Sequence, residues 1–413
     1  MFVRVKNCPK ELSHILLLLL FFFSACEETG EEGSASQKGE IPEVEPSLQL
    51  SLLTDPFVFQ KKDDFGINVF RNLLVSKNHQ YDLPGSVGPG QLQSLFKDVF
   101  ASYRLEKDSI HPSIKRQYHA FPHALDVLIT THSLLRSGGG AYLSEEEEAS
   151  LLLAALGHDA LHAGVFNSFL IRSNHKYARE DGNQSIQEKR SLNFLLKLLD
   201  SNQILVINEN TSEKEKEVIL NCRGLIEQSI LWTDMARHKE QITAVEGILS
   251  EITDKLNQTR KLAGIKVNTV GATTSDINGG VDLSGELSKE TRHLIAGFIL
   301  HCADVSNPGK PWPLCERWAN MVIAEFFSQG DLEKKLKMKV SMNCDRETVS
   351  IPLSQINFGK YVISDLYELL AKVIGDGGSE ILKNYKSNQL NWQSLHEKEK
   401  ASGVPYSYSF RTD

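Results

Sequence analysis

Three short segments carry most of the information in this sequence. They read YHAFPH over Tyr118–His123, HDALH over His158–His162 and HCAD over His301–Asp304. Imidazole and carboxylate groups are ordinary ligands of divalent metal ions, and these segments lie within apolar stretches typical of helices. Three such segments in one chain predict a metal site more strongly than any of them would alone.

The histidines of the first two segments are spaced by four residues. His119 precedes His123 by four positions, and His158 precedes His162 by four. At helical pitch the two histidines of a pair share one face of the helix, so both can reach the same metal ion. One such pair could equally be a packed or capping pair, but the two pairs together favour a metal site.

Two acids complete the candidate ligand set. Asp159 follows the apolar run Leu151–Leu156, and Asp304 follows the apolar run Ile295–Leu300. An acid in such a position is expected to be buried, and buried acids are paired or bound to metal. A carboxylate that bridges two cations could hold a shared water that becomes a nucleophile at neutral pH.

Composition limits the possible functions of the chain. Its 413 residues are 41% hydrophobic and 24% charged, as in soluble globular proteins, and the formal net charge is -8. An acidic protein repels nucleic acid and anionic membranes, so we expect no nucleic-acid partner. A small anionic substrate stays possible, because bound cations reverse the field locally.

Helical patterns dominate the chain after its N-terminal region. One pattern begins near Phe65–Leu74, and a second places Leu92, Leu95, Phe96, Val99 and Phe100 on one face. Ser144, followed by four glutamates, predicts a capped helix start, and Ser212 predicts another. Alternating strand patterns are absent, so the fold is predicted to be all-α, with a long insertion between helices at Gly264–Gly285.

The N-terminus resembles a bacterial lipoprotein signal. A basic start is followed by the apolar run Ile15–Phe23, and small residues precede Cys26. We therefore expect a signal peptide over 1–25, lipidation of Cys26, and an exported protein anchored to a bacterial membrane. A plain secretory signal or an uncleaved anchor are the alternatives. A disordered acidic tether over 26–60, a domain over 61–400 and a tail over 401–413 would follow.

Four cysteines remain after the signal region, at positions 222, 302, 315 and 344. They form no CxxC pair, so a zinc ribbon or a redox motif is not expected. An exported compartment would permit disulfides, whereas isolated buried thiols are the simpler interpretation.

The motifs taken together resemble the class I cyclic nucleotide phosphodiesterases, whose catalytic domain is all-helical. The resemblance covers roughly residues 65–395. It rests on the three histidine segments and on four further stretches in the same order, which are Thr233–His238, Asp304–Trp312, Glu325–Asp331 and Ser354–Phe358.

The resemblance implies a binuclear metal centre. His123, His158, Asp159 and Asp304 would hold a zinc ion, and Asp159 would bridge to a second ion, Mg²⁺ or Mn²⁺. His119 would be the general acid that protonates the departing ribose O3′. His162 and Glu188 would orient metal-bound water molecules.

The resemblance also implies a cyclic nucleotide as the substrate. Gln355 would hydrogen-bond the purine edge and Phe358 would stack on its face, with Val322 and Phe326 opposite. Asn167 would contact the phosphate side, and Asn307 resembles the residue of the subgroups that prefer cyclic AMP. Helix packing is the alternative explanation for the four base-site residues.

Two features depart from the family pattern. Arg190 and Ser191 stand where two histidines often follow the position of Glu188, and Asn357 replaces a glycine beside Phe358. Rival interpretations are an HD-type hydrolase of another phosphate ester and a surface lipoprotein with a vestigial pocket. Oligomeric state is not predicted.

Overall fold

The computed structural model describes residues 54–57, 83–84, 87–104, 110–262 and 282–408. Helices make up most of this part and no strand occurs in it, so the predicted all-α fold is confirmed. In chain order the helices are α1 (Pro89–Arg104), α2 (Phe121–Arg136), α3 (Glu145–Gly157), α4 (Asn167–Arg172), α5 (Lys176–Asp181), α6 (Ile186–Ser201), α7 (Glu213–Leu231), α8 (His238–Leu262), α9 (Lys289–Asp304), α10 (Trp312–Lys335), α11 (Ile351–Phe358), α12 (Ser364–Ile374) and α13 (Asp376–Ser402).

Both predicted capped helix starts are present. Ser144 accepts a hydrogen bond from the Glu147 backbone at the start of α3, and the Glu147 side chain accepts one from the Ser144 backbone. Ser212 and Glu215 repeat this capping box at the start of α7. Each box satisfies backbone donors that the first helical turn would otherwise leave unpaired.

Helix α2 begins later than the sequence predicts. Ala120 has an extended backbone and Pro122 lies in the first turn, where its fixed φ favours helix initiation. His119 therefore precedes the helix, whereas His123 lies in its first turn. The prediction that these two histidines share a helical face was wrong, although their rings lie only 6.0 Å apart.

Helix α3 ends before the second histidine pair is complete. Gly157 is its last residue and His158 caps it, so His162 lies in the turn beyond. Leu161 has a φ of 64° and Gly164 a φ of 69°, and these left-handed conformations reverse the chain. The prediction that His158 and His162 share a helical face was therefore also wrong, because the helix ends before it reaches His162.

The core of the described part is built around α2, α3, α7 and α9. Apolar side chains of these helices form one buried cluster, and α3 is buried along nearly its whole length from Glu147 onward. Each fully buried leucine contributes about 2 kcal/mol of transfer free energy, so this cluster fixes the helix ends that carry the histidine segments. Helices α10 to α13 form a second group, in which α13 packs against both α11 and α12.

The four described cysteines are buried and unpaired with one another. Several other predictions concern residues outside the described part, namely the signal peptide, Cys26, the tether, the helix near Phe65–Leu74 and most of the insertion at Gly264–Gly285. No helix in the described residues combines the length and the apolar character needed to cross a bilayer.

Candidate metal centre

Three helix ends bring the four predicted metal ligands together. His123 comes from the first turn of α2, His158 and Asp159 from the end of α3, and Asp304 from the last residue of α9. One ligand atom from each residue lies within 4.8 Å of the others. His123 Nε2 is 2.9 Å from Asp304 Oδ1, and His158 Nε2 is 3.3 Å from both Asp159 Oδ2 and Asp304 Oδ1.

The polar atoms of this cluster fit a bound cation. His158 Nδ1 is 2.8 Å from the Ala155 carbonyl oxygen, which leaves Nε2 facing the two carboxylates. Within the described part of the chain, His158 Nε2 and Asp159 Oδ2 make no hydrogen bond, although both are buried. Buried polar atoms without partners are costly, and a divalent cation between them would remove that cost.

The electrostatics of the cluster also favour positive charge. Burial lowers the pKa of His158, but the adjacent carboxylate of Asp159 outweighs it and raises that pKa well above 6.5. Burial opposes ionisation of Asp304, yet a hydrogen bond to His123 and the nearby imidazole of His158 hold its pKa well below the usual value. The two carboxylates therefore favour a positive charge between them, which either a protonated His158 or a metal ion could supply. The Asp159 and Asp304 side chains keep 14% and 17% of their surface exposed, less burial than the sequence predicts.

His119 is paired with an acid that the sequence analysis did not assign. Its Nδ1 contacts the Glu325 carboxylate of α10, which also accepts a hydrogen bond of 3.0 Å from the Tyr118 backbone N–H. Burial lowers the pKa of His119, but the charge of Glu325 outweighs burial and raises the pKa to about 9. His119 is therefore protonated at neutral pH, with Nε2 left as the atom that could transfer a proton.

His162 has the opposite protonation state. Its ring stacks on His119 with centroids 3.8 Å apart, and its Nδ1 accepts a hydrogen bond of 3.1 Å from Gly164 N–H. Burial and the neighbouring charge of His119 lower the pKa of His162 to about 3. The pair thus places one imidazolium against one neutral imidazole beside the four ligands.

Glu188 and Asn167 are hydrogen-bonded to each other. Asn167 Nδ2 donates to Glu188 Oε2 at 2.9 Å, and burial followed by the charge of Asp234 raises the pKa of Glu188 to about 7. The two residues that depart from the family pattern have other partners: Ser191 Oγ donates to the Ala160 carbonyl, and Arg190 stacks on Tyr177. The predicted roles of Asn167, His162 and Glu188 stay predictions.

A pocket adjoins the metal cluster and contains all the predicted base-site residues. Tyr118 lines this pocket and also packs its ring 4.5 Å from that of His123, so the two sites are adjacent. Asn357 is exposed and does not line the pocket. The predicted residues that line it are Asn307, Val322, Phe326, Gln355 and Phe358.

Sequence reasoning missed two residues that organise the site. Glu325 lies 206 positions from its partner His119, and the sequence analysis included it in the stretch Glu325–Asp331 without giving it a role. Gln187 clamps the turn after α3, because it accepts from Ala163 N–H at 2.8 Å and donates to the Val165 carbonyl at 2.7 Å. No feature of the sequence indicated this role of Gln187.

The fold and the cluster define a helical protein with a candidate metal site and an adjoining pocket. Comparison with known proteins agrees with that class. The model of the 3′5′-cyclic nucleotide phosphodiesterase family matches residues 118–385. The chain therefore belongs to the 3′5′-cyclic nucleotide phosphodiesterase family.

Individual relatives support the same assignment. The chain is 28% identical over 367 residues to a probable 3′,5′-cyclic-AMP phosphodiesterase pde-4 of Caenorhabditis elegans, covering 87% of this chain and 49% of that protein. It is 30% identical over 308 residues to 3′,5′-cyclic-AMP phosphodiesterase 4C of Rattus norvegicus, covering 72% of this chain and 52% of that protein. The chain thus spans about half the length of these relatives.

A solved structure shares the fold. The phosphodiesterase domain of the RhoPDE fusion protein from the choanoflagellate Salpingoeca rosetta matches with a TM-score of 0.64 and 23% sequence identity. The match covers 86% of this chain and 98% of that domain. At this identity the likeness concerns the fold.

Proposed function

We propose that this protein is a metal-dependent phosphodiesterase that hydrolyses 3′,5′-cyclic nucleotides, with cyclic AMP preferred over cyclic GMP, to nucleoside 5′-monophosphates. The observation that carries the proposal is the position of the four-ligand cluster beside a pocket lined by Gln355 and Phe358, with Tyr118 in contact with both. The names of the relatives from Caenorhabditis elegans and Rattus norvegicus support cyclic AMP.

The metal ions would be held by the four clustered residues. Two imidazoles and two carboxylates suit zinc at the first position, and Asp159 would also serve a second ion, Mg²⁺ or Mn²⁺. Bound divalent cations would neutralise phosphate charge and lower the pKa of a water molecule towards neutrality. Their carboxylate partners are already ionised, because nearby imidazoles hold the pKa of Asp159 and of Asp304 low despite burial.

His119 would complete the reaction as the general acid. A hydroxide ion would attack phosphorus, the P–O3′ bond would break, and a proton would pass from His119 Nε2 to the departing O3′, so that the hydroxide becomes the new P–OH group. Glu325 holds Nδ1 of the same ring, and so fixes which nitrogen faces the substrate. His162 and Glu188 would orient water from neighbouring positions, and Asn167 would act on the phosphate side through its contact with Glu188.

The base would lie between the two walls of the pocket. Phe326 is packed edge-on against Phe166 with ring centroids 4.7 Å apart, which gives that wall a fixed shape. Phe358 and Val322 would cover the two faces of the purine, while the amides of Gln355 and Asn307 would read its edge.

Turnover by the purified protein tests this proposal. We expect hydrolysis of cyclic AMP that a chelator abolishes and that zinc plus magnesium restores. Gln355→Ala should raise KM for cyclic AMP about tenfold, since a lost amide contact to a buried base costs about 1–2 kcal/mol. The turnover of a generic phosphodiester should be unchanged in Gln355→Ala. Inactivity towards cyclic nucleotides with both metals supplied would contradict the proposal, and unchanged KM in Gln355→Ala would favour another phosphate ester.

We also propose that Cys26 carries lipid and anchors the exported protein to a bacterial membrane. The support is the order of basic start, apolar run and small residues before Cys26. Expressed in a bacterium, the full chain should fractionate with membranes, and Cys26→Ser should release it. Mass spectrometry that finds an unmodified Cys26 within an uncleaved N-terminus would contradict this proposal.

A further inference from the structure

In the described part of the chain, His123 lacks the hydrogen bond that usually orients a metal-binding imidazole. A histidine ligand is ordinarily held through its second ring nitrogen, which fixes the orientation of the ring and strengthens metal binding. His158 has such a contact, because its Nδ1 is 2.8 Å from the Ala155 carbonyl oxygen. The Nδ1 atom of His123 is buried and has no partner among the described residues. The orientation of the His123 ring therefore depends on packing.

Two aromatic rings pack against the His123 imidazole. The Tyr118 ring centroid lies 4.5 Å from that of His123 at an interplanar angle of 32°, and the Trp318 ring centroid lies 5.9 Å away at 73°. Tyr118 and Trp318 also contact each other edge-on, with centroids 5.6 Å apart. Tyr118 is close to His123 in the chain, whereas Trp318 belongs to α10 and connects His123 to a distant segment.

That segment contains Phe57, which packs against Trp318. The Phe57 ring centroid lies 4.6 Å from that of Trp318, and the Arg317 guanidinium lies 3.4 Å from the centroid of the Phe57 ring. Phe57 is 7% exposed, and its backbone N–H donates to Asp55 Oδ1 at 2.9 Å, which fixes the turn that presents the ring. The family model matches residues 118–385, so Phe57 lies outside the matched region.

Packing also holds the Trp318 ring. This side chain is fully buried, and its indole Nε1–H has no hydrogen-bond partner in the described ranges. A buried donor without a partner is costly, so the indole would gain free energy from any movement that brought water to it. Phe57 belongs to the buried apolar cluster that surrounds Trp318, and its ring opposes such a movement.

We propose that Phe57 is a positioning residue of the metal site, which holds Trp318 against His123 and thereby keeps that imidazole oriented towards the metal position. The inference rests on the proposed metal-dependent function and adds to the site a residue from outside the family-matched region. Removing the Phe57 ring leaves a cavity beside Trp318, which the indole or water can enter. His123 then loses its fixed orientation, and metal binding weakens.

The zinc affinity of the purified protein tests this inference without relying on turnover. Competition with a chelator of known affinity gives the dissociation constant of zinc for each variant. Phe57→Ala should weaken zinc binding at least about tenfold, as loss of a group that orients a metal ligand typically does. Phe57→Leu refills most of the space and should recover most of this loss. In a Trp318→Leu background, Phe57→Ala should have little further effect, because Phe57 acts through Trp318.

Tyr177→Ala is the matched control. Tyr177 is 5% exposed and has an arginine guanidinium, that of Arg190, 3.3 Å from its ring centroid, as Phe57 has that of Arg317. It belongs to a different apolar cluster from Phe57. Tyr177→Ala should lower the unfolding temperature and leave the zinc affinity unchanged.

Unchanged zinc affinity in a folded Phe57→Ala protein would overturn the inference, and so would an equal loss of affinity in Tyr177→Ala. If Phe57→Ala does not fold, Phe57→Val takes its place with an expected loss of at least about threefold, and no loss would again overturn the inference. A protein that shows these differences but hydrolyses no cyclic nucleotide would contradict the proposed function alone. A wild-type protein that binds no zinc would contradict both.

Discussion

Replacing Asp304 by asparagine is expected to lower kcat/KM for cyclic AMP by about 10⁴-fold or more. The substitution keeps the shape of the side chain but removes one of two carboxylates that face His158 Nε2 at 3.3 Å. A divalent cation supplies several kcal/mol of transition-state stabilisation, and each 1.36 kcal/mol is a factor of ten in rate. Steady-state kinetics together with elemental analysis of the purified variant would measure the lost activity and the lost metal.

Thermal unfolding distinguishes loss of metal from loss of fold in Asp304→Asn. The metal-free Asp304→Asn protein should still unfold cooperatively, at a somewhat lower temperature than the metal-free wild type, because the low pKa of Asp304 means that the neighbouring imidazoles stabilise its charge in the folded state. Asp331→Asn is the matched control, since Asp331 is a half-buried acid of α10 paired with Arg346. Full activity and full metal content in Asp304→Asn would contradict the assigned ligand set.

Replacing His119 by glutamine is expected to lower kcat by 10²- to 10⁴-fold, the usual contribution of a general acid. KM should change little and the four-ligand cluster should keep its metal, because His119 lies outside that cluster, in a separate group with His162 and Glu325. Loss of metal in His119→Gln would show that this residue is a ligand, and an unchanged kcat would show that the proton comes from elsewhere.

The pH dependence of kcat in Glu325→Gln tests whether Glu325 controls the proton that His119 donates. The charge of Glu325 overcomes burial and raises the pKa of His119 to about 9, so the acid form persists below that pH. Without that charge the pKa of His119 falls, and the alkaline limb of kcat should move to lower pH. A profile that keeps its alkaline limb in Glu325→Gln would argue against their coupling.

The sequence alone predicted the ligand types and the helical class, because both follow from local patterns. His158 and Asp159 follow an apolar run, and the capped start at Ser144 fixes where that helix begins. The helical pairing of His119 with His123 was mispredicted, since a proline in the first turn moves the helix start past His119.

Long-range partners were beyond the reach of sequence patterns. Glu325 meets His119, and Asp126 meets Lys310, only because α2 packs beside the segments that follow α9. Periodicity identifies which face of a helix is buried, but it does not specify which buried side chain lies opposite.

Diffraction data collected on both sides of the zinc absorption edge, from crystals grown without chelator, test the central claim most directly. The account predicts an anomalous peak about 2.0–2.2 Å from nitrogen atoms of His123 and His158 and from oxygen atoms of Asp159 and Asp304. A crystal structure with Asp304 remote from the two histidines, and no peak among these four side chains, would contradict it.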